Sequence, residues 1–247
     1  MADRPREKAI CLYVTDFSET SQVAHLLARE SGVVHLLAKG SKRPKSAAGG
    51  RLDLLEEGEV VFIPARGEGM GTLAEFTPRT HHSALRRRLA DLNAALYMVE
   101  VTRMLLAEGD PHPAVHDLLS AALARLDRDE APTQAVLAYF QWRLLRHVGI
   151  LGEMDHCVGC GEQVGSGSAW FTSKEGGLLC RKCQNAWTEK RRLGHDALAG
   201  IGALRAMDDR KKASLTGEQA AAVNDLLAYH IAYQFGKAPR MLRHVRP

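Results

Sequence analysis

The sequence predicts an α+β chain of two domains: a small closed β-barrel at the N-terminus, then an α-helical domain that carries an inserted four-cysteine module. Three observations predict it. Apolar residues come in short β-leaning runs separated by turns over 1–80, they recur at spacings of three and four beyond His81, and four of the five cysteines form two CxxC pairs in a glycine-rich insert at about 155–187. The chain has 247 residues, 45% hydrophobic and 25% charged, enough apolar material for one or two ordinary cores, which excludes disorder and collagen-like repeats. Its longest charge-free apolar run, near 131–142, is shorter than the ~18 residues of a membrane span, and the charged N-terminus lacks the apolar stretch of a secretory signal. The expectation is a cytoplasmic protein with no membrane partner.

The barrel is read strand by strand. Ala9 to Thr15 is a β-leaning run, and Gln22 to Ala38 holds two apolar stretches, Val23 to Ala28 and Val33 to Ala38, split at Glu30-Ser31-Gly32 as in a hairpin. Val60 to Ile63 and Thr72 to Phe76 flank the turn Gly67-Glu68-Gly69-Met70-Gly71, which brings the total to about five strands. Five short strands joined by tight turns suit a closed barrel, of which the OB-fold is the common nucleic-acid-binding version. The glycines of that turn imitate a nucleotide loop, but the third lies at the wrong spacing and no helix follows.

Beyond His81, Leu85, Leu89, Leu92, Leu96, Val99, Arg103 and Leu106 lie on one face of a helix over 82–108 that stops at Gly109-Asp110-Pro111. Further helices are predicted over 113–128, 133–147 with Leu137, Phe140, Leu144 and Leu145 inward, 195–207 and 217–235. Thr216 is the expected N-cap of the last helix and Gly236 its stop. The domains therefore divide at 1–80 and 81–247.

Cys157-Val-Gly-Cys160 and Cys180-Arg-Lys-Cys183 are separated by nineteen residues, the spacing of a four-cysteine zinc site. Each pair bends so that both thiolates reach one tetrahedral ion, and Gly159 and Gly161 permit that bend. Four cysteines close the coordination shell, so the ion, read as one Zn2+, is structural and leaves no position for a reactive water. A four-sulfur site accepts iron as well, and His156 is an alternative ligand beside Cys157. Ala169-Trp170-Phe171 and Gly177-Leu178-Leu179 read as the strands of a zinc ribbon; the two aromatics either pack near the metal or stack on bases.

Net charge is only +4, so a nucleic-acid function depends on where the cations lie. Residues 39–51 contain Lys39, Lys42, Arg43, Lys45 and Arg51, no acid, and only small or turn-forming residues between them, while Asp53, Glu56, Glu57 and Glu59 follow at once. Such a loop offers phosphate contacts without sequence preference; the plain alternative is a solvated loop. Lys190, Arg191 and Arg192 follow the cysteine module and extend a possible DNA track. Arg86 to Arg88, Arg210 to Lys212 and the tail cations Lys237, Arg240, Arg243 and Arg246 read mainly as solvated faces. No GxxxxGK[ST], HExxH or GxSxG motif is present and the eleven histidines are scattered, which predicts no catalytic residues.

The chain resembles the RecO family of bacterial recombination mediators. The resemblance is carried by Ala9-Ile10, Asp16-Phe17-Ser18-Glu19-Thr20-Ser21, Leu36 through Ser46, Gly50-Arg51-Leu52, Gly69-Met70-Gly71-Thr72-Leu73, Tyr97, Glu100 and the four-cysteine insert. It implies an OB domain, a helical domain with the zinc module, and no turnover. It further implies binding of single- and double-stranded DNA, annealing of complementary strands, and help in loading recombinase onto strands coated by single-strand-binding protein. RecR and the C-terminal tail of the single-strand-binding protein are the implied partners, and the nucleoid the implied location. The resemblance places the family's basic loop on Lys39, Lys42, Arg43, Lys45 and Arg51. The competing readings are an RNA-binding zinc-ribbon/OB protein of translation or ribosome assembly, and a helical protein–protein adaptor.

Overall fold

A computed structural model describes residues 6–44, 46, 49–65, 67, 69–165, 167–208 and 213–246. Five strands close a barrel: β1 (Glu7–Asp16), β2 (Gln22–Ala28), β3 (Gly32–Ala38), β4 (Glu57–Ile63) and β5 (Gly71–Thr80), in the order β1-β2-β3-β5-β4 with β4 returning to β1. Within the antiparallel β1-β2-β3 meander, β2 and β3 pair residue for residue from Gln22↔Ala38 to Ala28↔Gly32, and the parallel pairing of β3 with β5 joins Leu36 and Leu37 to Gly71 and Thr72. This is the OB arrangement that the short runs predicted. Alternate side chains from all five strands, among them Cys11, Leu26, Leu36, Val60, Leu73 and Phe76, fill the interior. A lone cysteine in the sequence, Cys11 is thus core, with burial pushing its thiol up to about 12.

Two buried polar side chains hold the hairpins. The Glu7 carboxylate accepts the Glu30 and Ser31 amides at 2.7 and 3.0 Å, which ties down the β2–β3 turn. Gly32 closes that turn at φ +72°, where a Cβ would sit 2.2 Å from the Asp110 carbonyl oxygen. Gln22 is 2% exposed and makes three hydrogen bonds: its Oε1 accepts the Leu52 amide and the Ser41 hydroxyl, each at 3.0 Å, and its Nε2 donates to the Leu52 carbonyl at 3.2 Å. Gln22→Leu leaves these buried groups unpaired and should cost about 2–4 kcal/mol, since each orphaned buried group costs ~1–3 kcal/mol. Denaturant unfolding followed at the barrel checks it; an unchanged midpoint would remove Gln22 from this role.

On the outside of the barrel, the His25 and His35 rings stack at 3.8 Å, Tyr13 meets His25 edge-on, and the Arg103 guanidinium lies 4.6 Å over the Tyr13 ring. Burial first, then the neighbouring His35 and Arg103, hold His25 down at about 4. A histidine depressed below its unfolded value of ~6.5 stabilises the fold fully above that pH and loses the contribution as pH falls from 6.5 towards 4. The Glu108 carboxylate, 3.1 Å from His35, is the acidic group facing this stack. Acidification through this window should therefore destabilise the barrel, and less so in His25→Phe, as thermal melts across the pH range would read. Equal pH dependence in both proteins would count against it.

By packing, the chain divides into two compact units, Met1–Ala95 with Thr102–Arg128, and Leu96–Val101 with Asp129–Pro247. The first unit includes α2 (Pro113–Asp127), and residues of α1 (Leu89–Leu105) fall in both. In the second, α3 (Thr133–His147), α4 (His195–Asp208) and α5 (Gly217–Phe235) pack around Leu137, Phe140, Leu145, Leu204, Val223 and Leu227. A buried polar chain runs through this core: the Tyr97 hydroxyl donates to Gln141, Gln141 to Asn224, and Asn224 to Gln134. Gln134 in turn donates to the Val245 carbonyl in the short C-terminal helix α6 (Leu242–Val245). The insert forms a three-stranded sheet, β6 (Trp170–Thr172), β7 (Gly177–Leu179) and β8 (Arg191–Arg192), in the order β7-β6-β8. Among the described residues no helix is long and apolar enough to cross a membrane.

Candidate metal centre and nucleic-acid interface

The four cysteine sulfurs of Cys157, Cys160, Cys180 and Cys183 all lie within 4.8 Å of one another. A tetrahedral ion with bonds of ~2.3 Å separates its sulfurs by about 3.8 Å, and the Cys160 and Cys180 sulfurs are 3.9 Å apart. Local hydrogen bonding builds each knuckle: the Gly161 amide returns to the Cys157 carbonyl at 2.8 Å, and the Gln184 amide to that of Cys180 at 3.1 Å. Gly161 turns at φ +73°, and at Gly159 a Cβ would press to 3.1 Å from that of Cys183, so both predicted glycines are required.

The electrostatics call for a cation. Burial opposes charge on Cys157, but amides of Cys180 and Gly159 aimed at its sulfur at 3.3 and 3.4 Å, with help from Cys160, bring it down to about 6. Hydrogen bonding with the Cys160 and Cys180 sulfurs, with burial added, pushes the Cys183 thiol up to about 12, so the four cannot all be thiolates at neutral pH without a cation among them. A divalent metal resolves that conflict, and an all-sulfur donor set fits zinc or iron. His156 stays outside the cluster, with its Nδ1 2.8 Å from the Asp155 carboxylate. Of the two ribbon aromatics, Phe171 is fully buried and meets the His230 ring edge-on at 5.2 Å.

Glu189 fastens the ribbon to α5: one carboxylate oxygen accepts the Thr172 hydroxyl at 2.9 Å and the Ser173 amide at 2.6 Å, and the other accepts the Tyr229 hydroxyl at 2.9 Å. Nothing in its sequence neighbourhood signalled this role. The His230 Nε2 donates to the Ile150 carbonyl at 2.8 Å and the Gln234 amide group to that of Ser173 at 2.8 Å.

The basic segment leaves the end of β3. Lys39, Arg43 and Arg51 are exposed and pair with no carboxylate among the described residues. Lys42 is different: its Nζ lies 2.8 Å from the Asp16 carboxylate and donates to the Ser18 carbonyl at 3.3 Å, bracing the β1–β2 turn. That contact, with Arg51 adding to it, holds the Asp16 carboxyl below the usual range. Lys45 lies outside the described residues, as do Arg210, Lys211 and Lys212. The segment is held at both ends by Gln22, and Gly49 packs so closely that a Cβ would reach 2.0 Å from the Phe76 carbonyl oxygen. Its glycines thus serve packing as well as chain flexibility.

The acids that follow are all engaged. Asp53 pairs with Arg86 at 2.6 Å, Glu56 with His81, Glu57 with His82 and Ser120, and Glu59 with Arg6 and Arg79. Their charge is therefore met locally, while Lys39, Arg43 and Arg51 are exposed. Of the second predicted cluster, Lys190 donates to the Trp187 carbonyl at 2.7 Å, Arg191 pairs with Asp225 and lies over the Tyr229 ring, and Arg192 is exposed on β8.

A family profile described as recombination protein O, C terminal, matches residues 86–243, and one described as recombination protein O, N terminal, matches residues 1–81. The chain is similar to the protein named DNA repair protein RecO of Rhodopirellula baltica, 31% identical over 198 residues, covering 79% of this chain and 73% of that protein. It is also similar to those of the same name in Anaeromyxobacter dehalogenans strain 2CP-C, 29% identical with 99% and 98% covered, and Myxococcus xanthus, 30% identical with 95% and 94% covered.

Proposed function

The chain belongs to the RecO family of DNA repair proteins, and on that premise we propose that it is a non-catalytic recombination mediator that binds single- and double-stranded DNA. Its role lies in DNA repair and recombination. In the reading we favour, residues 1–80 bind DNA and 81–247 recruit protein partners, RecR and the tail of single-strand-binding protein among them. The protein anneals complementary strands and helps load recombinase onto coated ones. One observation carries this reading: three exposed cations without carboxylate partners among the described residues, Lys39, Arg43 and Arg51, stand on a segment pinned to a closed five-strand barrel while the acids that follow it, Asp53, Glu56, Glu57 and Glu59, are each paired.

Annealing follows from that arrangement, because cations that screen two strands let them approach while base pairing supplies the specificity. The four cysteines hold one structural Zn2+ that keeps the ribbon folded, and the protein works in the cytoplasm at the nucleoid.

The test is annealing of complementary oligonucleotides, bare and coated with single-strand-binding protein, together with competition between DNA and RNA of one sequence. Faster annealing and no preference for RNA are expected. A preference for RNA through its 2′-hydroxyls would favour a translation role, and absence of binding to either would favour an adaptor.

A further inference from the structure

The β1–β2 turn carries an aromatic ring that the barrel does not use. Phe17 is 60% exposed in a stretch otherwise made of Asp, Ser, Glu and Thr. The turn beneath it is fixed: the Phe17 and Ser18 amides donate to the Ser21 carbonyl at 2.9 and 3.2 Å, and the Thr20 carbonyl accepts the Lys42 amide at 3.0 Å. Across it, the Ser21 hydroxyl accepts the Gly40 amide at 3.1 Å. Phe17 thus stands on a preorganised platform joined to the start of the basic segment.

Between this turn and the start of the basic segment lies an open pocket of about 360 Å3, with Phe17 and Leu37 as its apolar part, Ser18 and Ser21 among its polar lining, and Lys39 and Arg43 as its cations. The nearby Asp16 carboxylate is taken up by Lys42, and Glu19 does not line the pocket. An exposed flat ring beside two cations that pair with no carboxylate among the described residues matches one chemistry, a nucleotide with a π-face and flanking phosphates. A paired base keeps its face inside the duplex stack, whereas an unpaired one offers it.

We propose that Phe17 is a stacking residue for an unpaired base of single-stranded DNA, with Lys39 and Arg43 holding the adjacent phosphates. The proposal rests on the DNA-binding reading above and adds to it a means of distinguishing single strands from duplex.

The test uses the full-length protein with a short labelled single strand and a blunt duplex of the same sequence, over a series of salt concentrations. Phe17→Ala should bind the single strand about tenfold more weakly, within the range of one lost base–aromatic stack, with an unchanged salt slope. Duplex affinity should be preserved, and Phe17→Trp should retain single-strand affinity. An unaltered melting curve of Phe17→Ala would show that an exposed ring was removed without loss of fold. Wild-type single-strand affinity in Phe17→Ala, or an equal loss on duplex, overturns the stacking role. If Lys39→Ala/Arg43→Ala still weakens binding in that case, the DNA-binding reading stands without it; if the wild type binds no DNA, both fall.

Discussion

Cys160→Ser is expected to strip the metal and unfold the ribbon, lowering the stability of the helical unit. The reason is size. The sheet of the insert has strands of 3, 3 and 2 residues, and Phe171, Leu178 and Leu179 are the apolar side chains it buries. Such a sheet is too small to fold on its own apolar area. On the proposed metal reading an ion brings the two knuckles together, and its binding energy would be folding energy, ~10–16 kcal/mol in isolated zinc-finger peptides. That is an upper bound here, because Glu189, His230 and Gln234 tie the insert to its surroundings whether or not metal is bound. A loss on the order of 3 kcal/mol or more is the expectation, with metal content below one ion per chain. Circular dichroism melts with and without a chelator, beside metal analysis, measure both. A variant that keeps a bound metal and its melting curve would sink the assignment. Because Cys160 is the exposed member of the four, replacing it leaves little cavity, so the effect reports coordination rather than packing.

How much of this was legible beforehand depended on whether the cause was local. Helix α5 was bounded correctly from the sequence because both signals sit at its ends: Thr216 and Gln219 form a reciprocal capping box, and Gly236 stops it at φ +64°. The CxxC pairs are equally local, and so was the metal site. Helix α1 was expected from His82 but begins at Leu89. His82 instead turns at φ +46° and sits buried with its Nε2 2.8 Å from Glu57, and a single 3-10 turn at Leu85–Arg87 follows. At the other end the helix stops at Leu105 rather than at Glu108, which bridges to Val33 as Gly109 donates to the Val33 carbonyl. Both departures come from partners at least twenty-five residues away, which periodicity cannot see. The basic segment was legible as a composition but not as a set of roles. Lys42 differs from Lys39 in having Asp16 and the Ser18 carbonyl within reach of its ammonium, and Gln22, at the start of an apolar run, gave no sign that it anchors the segment.

That difference between equal-looking lysines decides how the DNA site is tested. Lys39→Ala/Arg43→Ala/Arg51→Ala removes the cations that have no carboxylate partner among the described residues and leaves the turn-bracing Lys42 in place. Each lost phosphate contact lowers the salt slope on a single strand by ~0.7, so the triple variant should lose about two units of slope. At physiological salt the loss of affinity should be about tenfold to a hundredfold, shrinking towards ~1 M salt where counter-ion release contributes nothing. Stability should hardly move, since exposed unpaired cations contribute little to folding. Lys42→Ala is the contrast. It breaks an exposed ion pair that contributes little to folding and uncovers Asp16 beside the proposed strand path, so it weakens binding by adding an anion as well as by removing a cation. Fluorescence anisotropy over a salt series separates the two, with annealing followed in the same samples. If the triple variant retains the wild-type slope, the phosphates are held elsewhere, and exposed Arg192 on the ribbon becomes the next position to change. If the slope falls and annealing slows in proportion, the cations that bind one strand are also those that bring the second one near.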